Sequence, residues 1–491
     1  MVSAQVDSVF LPSPLRYASV SARKIVENDY RLDASAYDFD ALKALDLVEK
    51  NKNGFTYLWS KDGYVADAFI GPRTKRDYVP KADDSVGFLG SAEMLELNPR
   101  AVKFVSGSYK PVYGVDYATV LISRSGTIGN TTFVSKTLSR FCVSEHAIRV
   151  VCKRDAGYVY AFLHSETGKT ILKSFTFGAV IDEIESEHLR KIPIPNASEE
   201  VREKINLLIT TSFEKRDESN DLIEKAQGLL YSELRLPPLE KIQPVYYDND
   251  AGFRNFTIRA SNLDGRFDAS YHLPEITHII TTIRENAKEV IRLGDARLTA
   301  DIFVGNRFKR VYVEKGKGCV YLNGKSITQL DPNGSSKLYL SFSKHEKQIK
   351  QQLELKENMI LVSCSGTLGR TVLVPKHWNG WAGTHDLIRI IASDTDIAGY
   401  IFCYLNSSIG NKLILRNTYG AVIDHIEPEH MQSLPVPILK NKKAMEEINS
   451  LVLKANDLRY EAYIEEQNAL DILNTDVLCM TNAKIKFESD V

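Results

Sequence analysis

Four things that this chain lacks narrow its function before any motif is sought. Long apolar runs are missing. No stretch approaches the roughly 18 residues needed to cross a bilayer, and the opening MVSAQVDSVF has neither the basic region nor the apolar core of a secretory signal. No membrane partner and a cytoplasmic location are therefore expected. Paired cysteines are missing too: Cys142, Cys152, Cys319, Cys364, Cys403 and Cys479 are scattered and form no C-x-x-C. That spacing argues against structural zinc or a disulfide framework and for buried free thiols. Excess charge is missing, since 62 Lys and Arg stand against 63 Asp and Glu for a net charge of -1. Any polyanion partner must be recognised by local clusters. Catalytic signatures are missing as well. There is no G-x-x-x-x-G-K-[ST], no G-x-G-x-x-G after a strand, no H-E-x-x-H, no G-x-S-x-G, and no glycine-rich cofactor loop paired with an N-P-P-aromatic segment. We expect no catalytic residue, cofactor or metal in this chain.

What is present is ordinary globular composition, with 43% hydrophobic and 25% charged residues, and a segment that occurs twice. Residues 178 to 195 read GAVIDEIESEHLRKIPIP, and residues 420 to 437 read GAVIDHIEPEHMQSLPVP. Their differences swap like for like, such as Leu189 for Met431 and Ile192 for Leu434. The period is about half of the 491 residues, too long for a solenoid repeat. Two homologous domains in tandem are expected.

Further blocks align in order. RLDASAY (31 to 37) matches RFDASY (266 to 271), and VLISRSGTIGNTTFV (120 to 134) matches ILVSCSGTLGRTVLV (360 to 374). Between them, Arg73, Lys75, Arg76 and Tyr78 match Arg307, Lys309, Arg310 and Tyr312, each set beside a glycine. Such residues suit phosphate and guanine contacts. A solvated loop reads equally well on composition alone, and placement in both copies favours DNA. The copies diverge most where AVKFVSGSYKPVYGVDYA faces the longer SSKLYLSFSKHEKQIKQQLELKEN, and divergent loops on a shared scaffold are where specificity concentrates.

Period sets the expected elements. The paired SGT-containing blocks read as strand, tight turn, strand, and HAIRVV and DLIRII read as short strands. Residues 158 to 175 and 400 to 417 read as helices with Gly168 and Gly410 in the middle. The IPIP and LPVP segments read as extended, because proline excludes helix. A long helix follows each, from Ser198 to about Leu234 and from about Lys442 to Leu473. The two helices share a heptad frame. One position carries Ile205, Ser212, Ser219, Ala226 and Ile448, Ala455, Ala462, Ala469. The other carries Leu208, Lys215, Leu222, Leu229 and Leu451, Leu458, Glu465, Ile472, with Lys215 and Glu465 as polar intruders. Small residues let two backbones approach closely, so an antiparallel pair is expected. It forms a rod of roughly 55 Å at 1.5 Å per residue, with a head at each end.

The repeated Asp182, Glu185, Glu187, His188 and Asp424, Glu427, Glu429, His430 offer acid-base groups, but Glu-His beside an extended segment more commonly caps a short helix. Taken together, the ordered set found twice resembles the specificity subunit of type I restriction-modification enzymes. It comprises RLDASAY and RFDASY, VLISRSGTIG and ILVSCSGTLG, the closing segment, and the long helix.

The resemblance implies an α+β chain with two homologous target-recognition domains, 1-196 and 237-439. Two long antiparallel coiled-coil helices, 197-236 and 440-475, join and space them, and a tail follows at 476-491. It implies a non-enzymatic subunit that reads a bipartite double-stranded DNA site. It also implies recruitment of two adenine-N6 methyltransferase subunits, where S-adenosylmethionine would bind, and of restriction subunits. It assigns the scaffold turn to Ser123, Ser125, Gly126, Thr127 and Gly129 and to Ser363, Ser365, Gly366, Thr367 and Gly369. Ser125, Thr127, Ser365 and Thr367 thereby join the candidate DNA contacts. One departure is that Ala179-Val180 and Ala421-Val422 stand where many relatives have a Ser/Thr-Gln pair. A type IIB or solitary methyltransferase system, or a bridging protein that binds no DNA, remains as an alternative.

Overall fold

The computed structural model describes residues 19–27, 30–177, 182–239, 241–242, 256–263, 265–332, 338–420 and 424–480. These residues form two compact units. The first is drawn from Phe10–Asp217 with Glu461–Asp490, and the second from Glu218–Tyr460. The division passes through both long helices, so each unit takes in part of each.

The first unit is built on a four-stranded antiparallel sheet in the order Val65–Ile70, Ala147–Cys152, Val120–Ser123, Thr131–Phe133. The second repeats it with Thr299–Val304, Leu387–Ala392, Ile360–Ser363 and Thr371–Leu373. Even the β-bulge recurs, at Val65/Asp67 and at Thr299/Asp301. Val120–Ser123 and Ile360–Ser363 are buried at every position, which explains why both are continuous apolar runs and do not alternate. Each unit has a second small sheet. In the first it holds Lys103–Ser106, Ser85–Leu89 and Cys142–Val143; in the second it holds Tyr312–Val313, Tyr339–Leu340, Cys319–Leu322 and Ala382–Gly383. The prolyl segments are extended, as the prolines require. Pro193–Pro195 pairs with Phe55–Tyr57, and Pro435–Ile438 pairs with Glu289–Arg292.

One expectation needs correction. Each stretch expected as a single helix around a glycine is two helices, Ala156–His164 then Glu166–Ser174, and Thr395–Asn406 then Ser408–Leu415. The break falls at Ser165 and Ser407, whose hydroxyls accept from the backbone of Gly168 (3.1 Å) and Gly410 (3.0 Å) as N-caps of the second helix. The glycines serve the turn. A Cβ on Gly168 would lie 2.0 Å from the Phe162 carbonyl, and one on Gly410 would lie 1.9 Å from that of Tyr404.

The long helices are Glu199–Glu233 and Lys442–Ile472, and their contacts within each unit run antiparallel. In the second unit Glu218 pairs with Lys454, Lys225 with Glu447, and Asn441 donates to Glu233. In the first, Ser212 Oγ donates to the Ala462 carbonyl at 2.7 Å. Ile205, Ser212, Ser219, Ala226, Ile448, Ala455, Ala462 and Ala469 are all fully buried, as a seam of close backbone approach requires. The two intruders answer each other, since Lys215 bridges to Glu461 and Glu465. Deeper in the first unit Arg216 pairs with buried Glu466, which also accepts from the Tyr160 hydroxyl at 2.6 Å. Burial favours the neutral acid there, but the cationic neighbours, chiefly Arg216, hold the Glu466 carboxyl below the usual carboxylate range.

Helix and globular part are joined identically in both units. The side-chain oxygen of Asn206 accepts from Gly157 N at 2.8 Å, and that of Asn449 accepts from Gly399 N at 2.8 Å. The free thiols are less uniform than expected. Cys142, Cys319, Cys364 and Cys403 are buried and Cys152 half-buried, but Cys479 is exposed.

Candidate nucleic-acid interface

The basic segments start where a sheet strand ends. After Val65–Ile70 the chain passes Gly71 and runs without regular structure until Val79 bridges to Phe104 on the strand Lys103–Ser106. In the second unit it leaves Thr299–Val304 through Gly305 and forms the strand Tyr312–Val313, which pairs with Tyr339–Leu340. The repeated basic segment is thus hydrogen-bonded, in both units, to the strand at the start of the divergent region.

Beneath each segment lies an arginine that the sequence reading missed. Arg149 and Arg389 are buried at equivalent sheet positions, and carbonyl oxygens accept from the terminal nitrogens of both, while the Nε of each has no hydrogen-bond partner among the described residues. Arg149 donates to Ala147, Tyr113 and Val143, and Arg389 to Thr384, Leu387, Leu353 and Gly383. Burial pulls the Arg389 guanidinium down to about 10. The arginines explain the glycines above them in part: a Cβ on Gly71 would lie 3.2 Å from Arg149 Nη1, while one on Gly305 would lie 2.6 Å from Leu353. The available signal was a charged residue inside HAIRVV and again inside DLIRII.

The candidate contacts divide into exposed and engaged groups. Arg73, Lys75, Arg307 and Lys309 are exposed, and Arg73 makes a long 3.4 Å contact with Glu183. Tyr78 and Tyr312 are 48% and 40% exposed, with Lys103 Nζ 5.1 Å above the Tyr78 ring. Arg76 and Arg310 are engaged. Arg76 lies 4.8 Å from the Phe88 ring centre and is bidentate to Glu145 at 2.7 and 3.0 Å. Burial raises the Glu145 carboxyl, and the Arg76 hydrogen bond and charge more than reverse that, leaving it lowered. Arg310 lies over Tyr321 at 5.8 Å and donates to His385 Nδ1 at 2.8 Å.

The scaffold turns are built alike. Gly126 and Gly129 have φ of +77° and +79°, and Gly366 and Gly369 both have +72°, values that only glycine adopts freely. Ser125 is buried and hydrogen-bonded to His146 Nδ1 at 2.7 Å, Thr127 meets Ser123 at 2.9 Å, and Ser363 donates to the Thr367 carbonyl. Thr367 is exposed and Ser365 half-buried.

The twice-occurring closing segment has structural work. Glu185 with His188, and Glu427 with His430, form capping boxes, with Glu185 N and Glu427 N donating to the histidine Nδ1 at 3.1 Å. In the first unit the buried Arg124 adds ion pairs to Glu183 and Glu185; Cys364 takes the equivalent place in the second. Residues 178–181 and 421–423, including Ala179-Val180 and Ala421-Val422, lie outside the described residues. Among the described residues no group of three or more His, Cys, Asp or Glu is placed to hold a metal, and no helix is long and apolar enough to cross a membrane.

No family model matches the chain, and no curated protein matches it. Solved structures do resemble it. The type I restriction-modification system S subunit from M. genitalium is 12% identical, covering 84% of this chain and 92% of its own, with a TM-score of 0.31. A chain from a study of complex assembly and conformational transition of the type I R-M system is also 12% identical, with coverage of 83% and 95% and a TM-score of 0.26. The HsdS subunit from Thermoanaerobacter tengcongensis is 11% identical, with coverage of 83% and 94% and a TM-score of 0.24.

Proposed function

We propose that this chain is the non-catalytic DNA sequence-recognition subunit of a type I restriction-modification complex. Each unit reads one part of a bipartite, asymmetric double-stranded site. The observation that carries this reading is the pairing of the basic segment with the divergent strand, Val79 with Phe104 and Tyr312 with Leu340. That placement sets shared phosphate-gripping cations beside the surfaces in which the two units differ. Phosphate contacts fix register and carry no sequence, whereas base-edge contacts in the major groove specify. Unlike divergent regions then read unlike half-sites, and the long helices set the unread gap between them.

Two adenine-N6 methyltransferase subunits dock on the equivalent parts of the two units and bring S-adenosylmethionine; restriction subunits complete the complex, which works in the cytoplasm. The repeated Arg-Asp clamps fit equivalent docking. Arg31 grips Asp33 and the Thr176 carbonyl, and Arg266 grips Asp268 and the Thr418 carbonyl. Next in sequence to each clamp stand exposed large side chains at equivalent positions, Leu32 and Phe177 in the first unit and Phe267 and Tyr419 in the second.

The test is a gel shift of duplex DNA by the full chain with a methyltransferase partner, at low and high salt. Replacing Arg73, Lys75, Arg307 and Lys309 by alanine should weaken binding and flatten the log-log salt slope by about 0.9 for each phosphate no longer neutralised. Unchanged binding at both salt levels would remove these residues from the interface. A complex that never shifts DNA would favour the bridging protein.

A further inference from the structure

The two basic clusters differ in the group that holds their third cation. Arg76 is held by a carboxylate and Arg310 by an imidazole, and the next residue differs as well, His146 in the first unit and Asp386 in the second. Both guanidiniums lie over an aromatic ring of the small sheet, Phe88 and Tyr321. These two rings occupy equivalent rungs, Phe88 beside Cys142 and Tyr321 beside Ala382. Glu145 and His385 occupy the same place too, just before the strand that carries the buried arginine. A guanidinium has donors only, so the 2.8 Å contact to His385 Nδ1 requires that nitrogen to be unprotonated. His385 is therefore neutral, its proton on Nε2, which lies 3.3 Å from Asp386 Oδ1.

Resting on the DNA-binding reading above, we propose that His385 is a proton-operated latch on Arg310, so that anion binding by the second unit, and not by the first, is coupled to proton uptake. Protonation converts Nδ1 from acceptor to donor. The hydrogen bond to Arg310 breaks, two cations face each other, and Arg310 turns outward to join exposed Arg307 and Lys309 in holding a phosphate. Asp386 stays beside Nε2 to support the imidazolium.

The groups facing His385 set the direction. Burial and the cations Arg310, Arg307 and Arg389 hold its proton affinity down, while Asp386 opposes them. The Cys364 thiol, on the neighbouring element, contacts its carbonyl and is itself pushed up to about 12 by burial. An anion between Arg307 and Arg310 neutralises two of the opposing charges, so binding raises the affinity of His385 for its proton. By linkage, acid then tightens binding. In the first unit Glu145, its carboxyl lowered chiefly by Arg76, stays paired with Arg76 and also faces His146 Nε2 at 3.9 Å, so there the histidine meets a carboxylate and not the guanidinium.

The experiment measures binding of random-sequence duplex DNA by the full chain with its methyltransferase partner at roughly pH 7.5 and pH 5.5, the range in which histidine titrates. Wild type should bind about threefold to tenfold tighter at the lower pH, with a steeper salt slope. His385→Gln, which still accepts from Arg310 but cannot titrate, should bind equally at both, and Glu145→His should add the same dependence to the first unit. An equal gain in wild type and His385→Gln would overturn the latch. If no form binds DNA at any pH, the DNA reading fails instead. The latch is then judged by thermal midpoints: wild type should lose more than His385→Gln between the two pH values, and equal losses would overturn it.

Discussion

Arg149, Arg389, Arg216 and Glu466 are almost fully buried, the first two held by backbone carbonyls and the last two by each other. Arg216 and Glu466 depend most on each other. Glu466→Leu should strand the Arg216 guanidinium in the interior and cost about 3 to 5 kcal/mol, the usual penalty for breaking a buried pair. Urea denaturation of the variant against wild type reads it. Because the Glu466 carboxyl is lowered in the folded state, it stabilises above the ordinary carboxylate range and that contribution is lost as pH falls below it. The variant should accordingly lose less stability on acidification, and an equally steep loss would show that the pair is unimportant. A capping role for this segment was legible in the sequence from Glu-His beside the prolyl run, although the carboxylate that pairs with each histidine is the one three residues earlier, Glu185 and Glu427. The carbonyl-held arginines were not. Most of their partners are near in sequence, Ala147 and Val143 for Arg149 and Thr384, Leu387 and Gly383 for Arg389, but these are backbone carbonyls that no side-chain pattern marks, and a lone Arg in a strand reads as solvated.

Among the elements, the long helices were the most legible, because heptad spacing and the absence of proline act over many turns. The frame at Ser212, Ser219 and Ala226 against Ala455, Ala462 and Ala469 is the buried seam. The break at Ser165 and Ser407 was hidden, since apolar spacing continues across a one-residue interruption whose only sign is a serine three positions before a glycine. Glycines offer an internal comparison. A Cβ on Gly157 would lie 2.8 Å from the Asn206 carbonyl, and one on Gly399 would lie 2.6 Å from that of Asn449. Alanine at either should therefore push the globular part off its helix and cost about 1 to 3 kcal/mol. Gly228, within the first long helix, has no atom within 4 Å of its Cβ position. There alanine should stabilise by about 0.5 to 1 kcal/mol. Thermal melts of the three variants check this, and a stabilising Gly399→Ala would refute the close approach at Asn449.

For the whole molecule, the duplication was readable and the difference between its two copies only in part. The repeated blocks became the same sheets, bulges and turns, because they encode the core. The difference between the units lies in what surrounds that core: the divergent stretch forms Gly107–Tyr109 and Lys110–Tyr113 in one unit, and Phe342–Gln348 and Ile349–Leu353 in the other. Near-neutral net charge gave no sign of exposed Arg73, Lys75, Arg307 and Lys309, local clusters that a whole-chain balance averages away. The central claim is that two like scaffolds read two unlike pieces of DNA. Selection of bound sequences from a randomised duplex pool, by the full chain with its methyltransferase partner, tests it most directly. Two different short blocks separated by an unread gap of fixed length are expected. One continuous block, two identical blocks, or no enrichment at all would contradict the account.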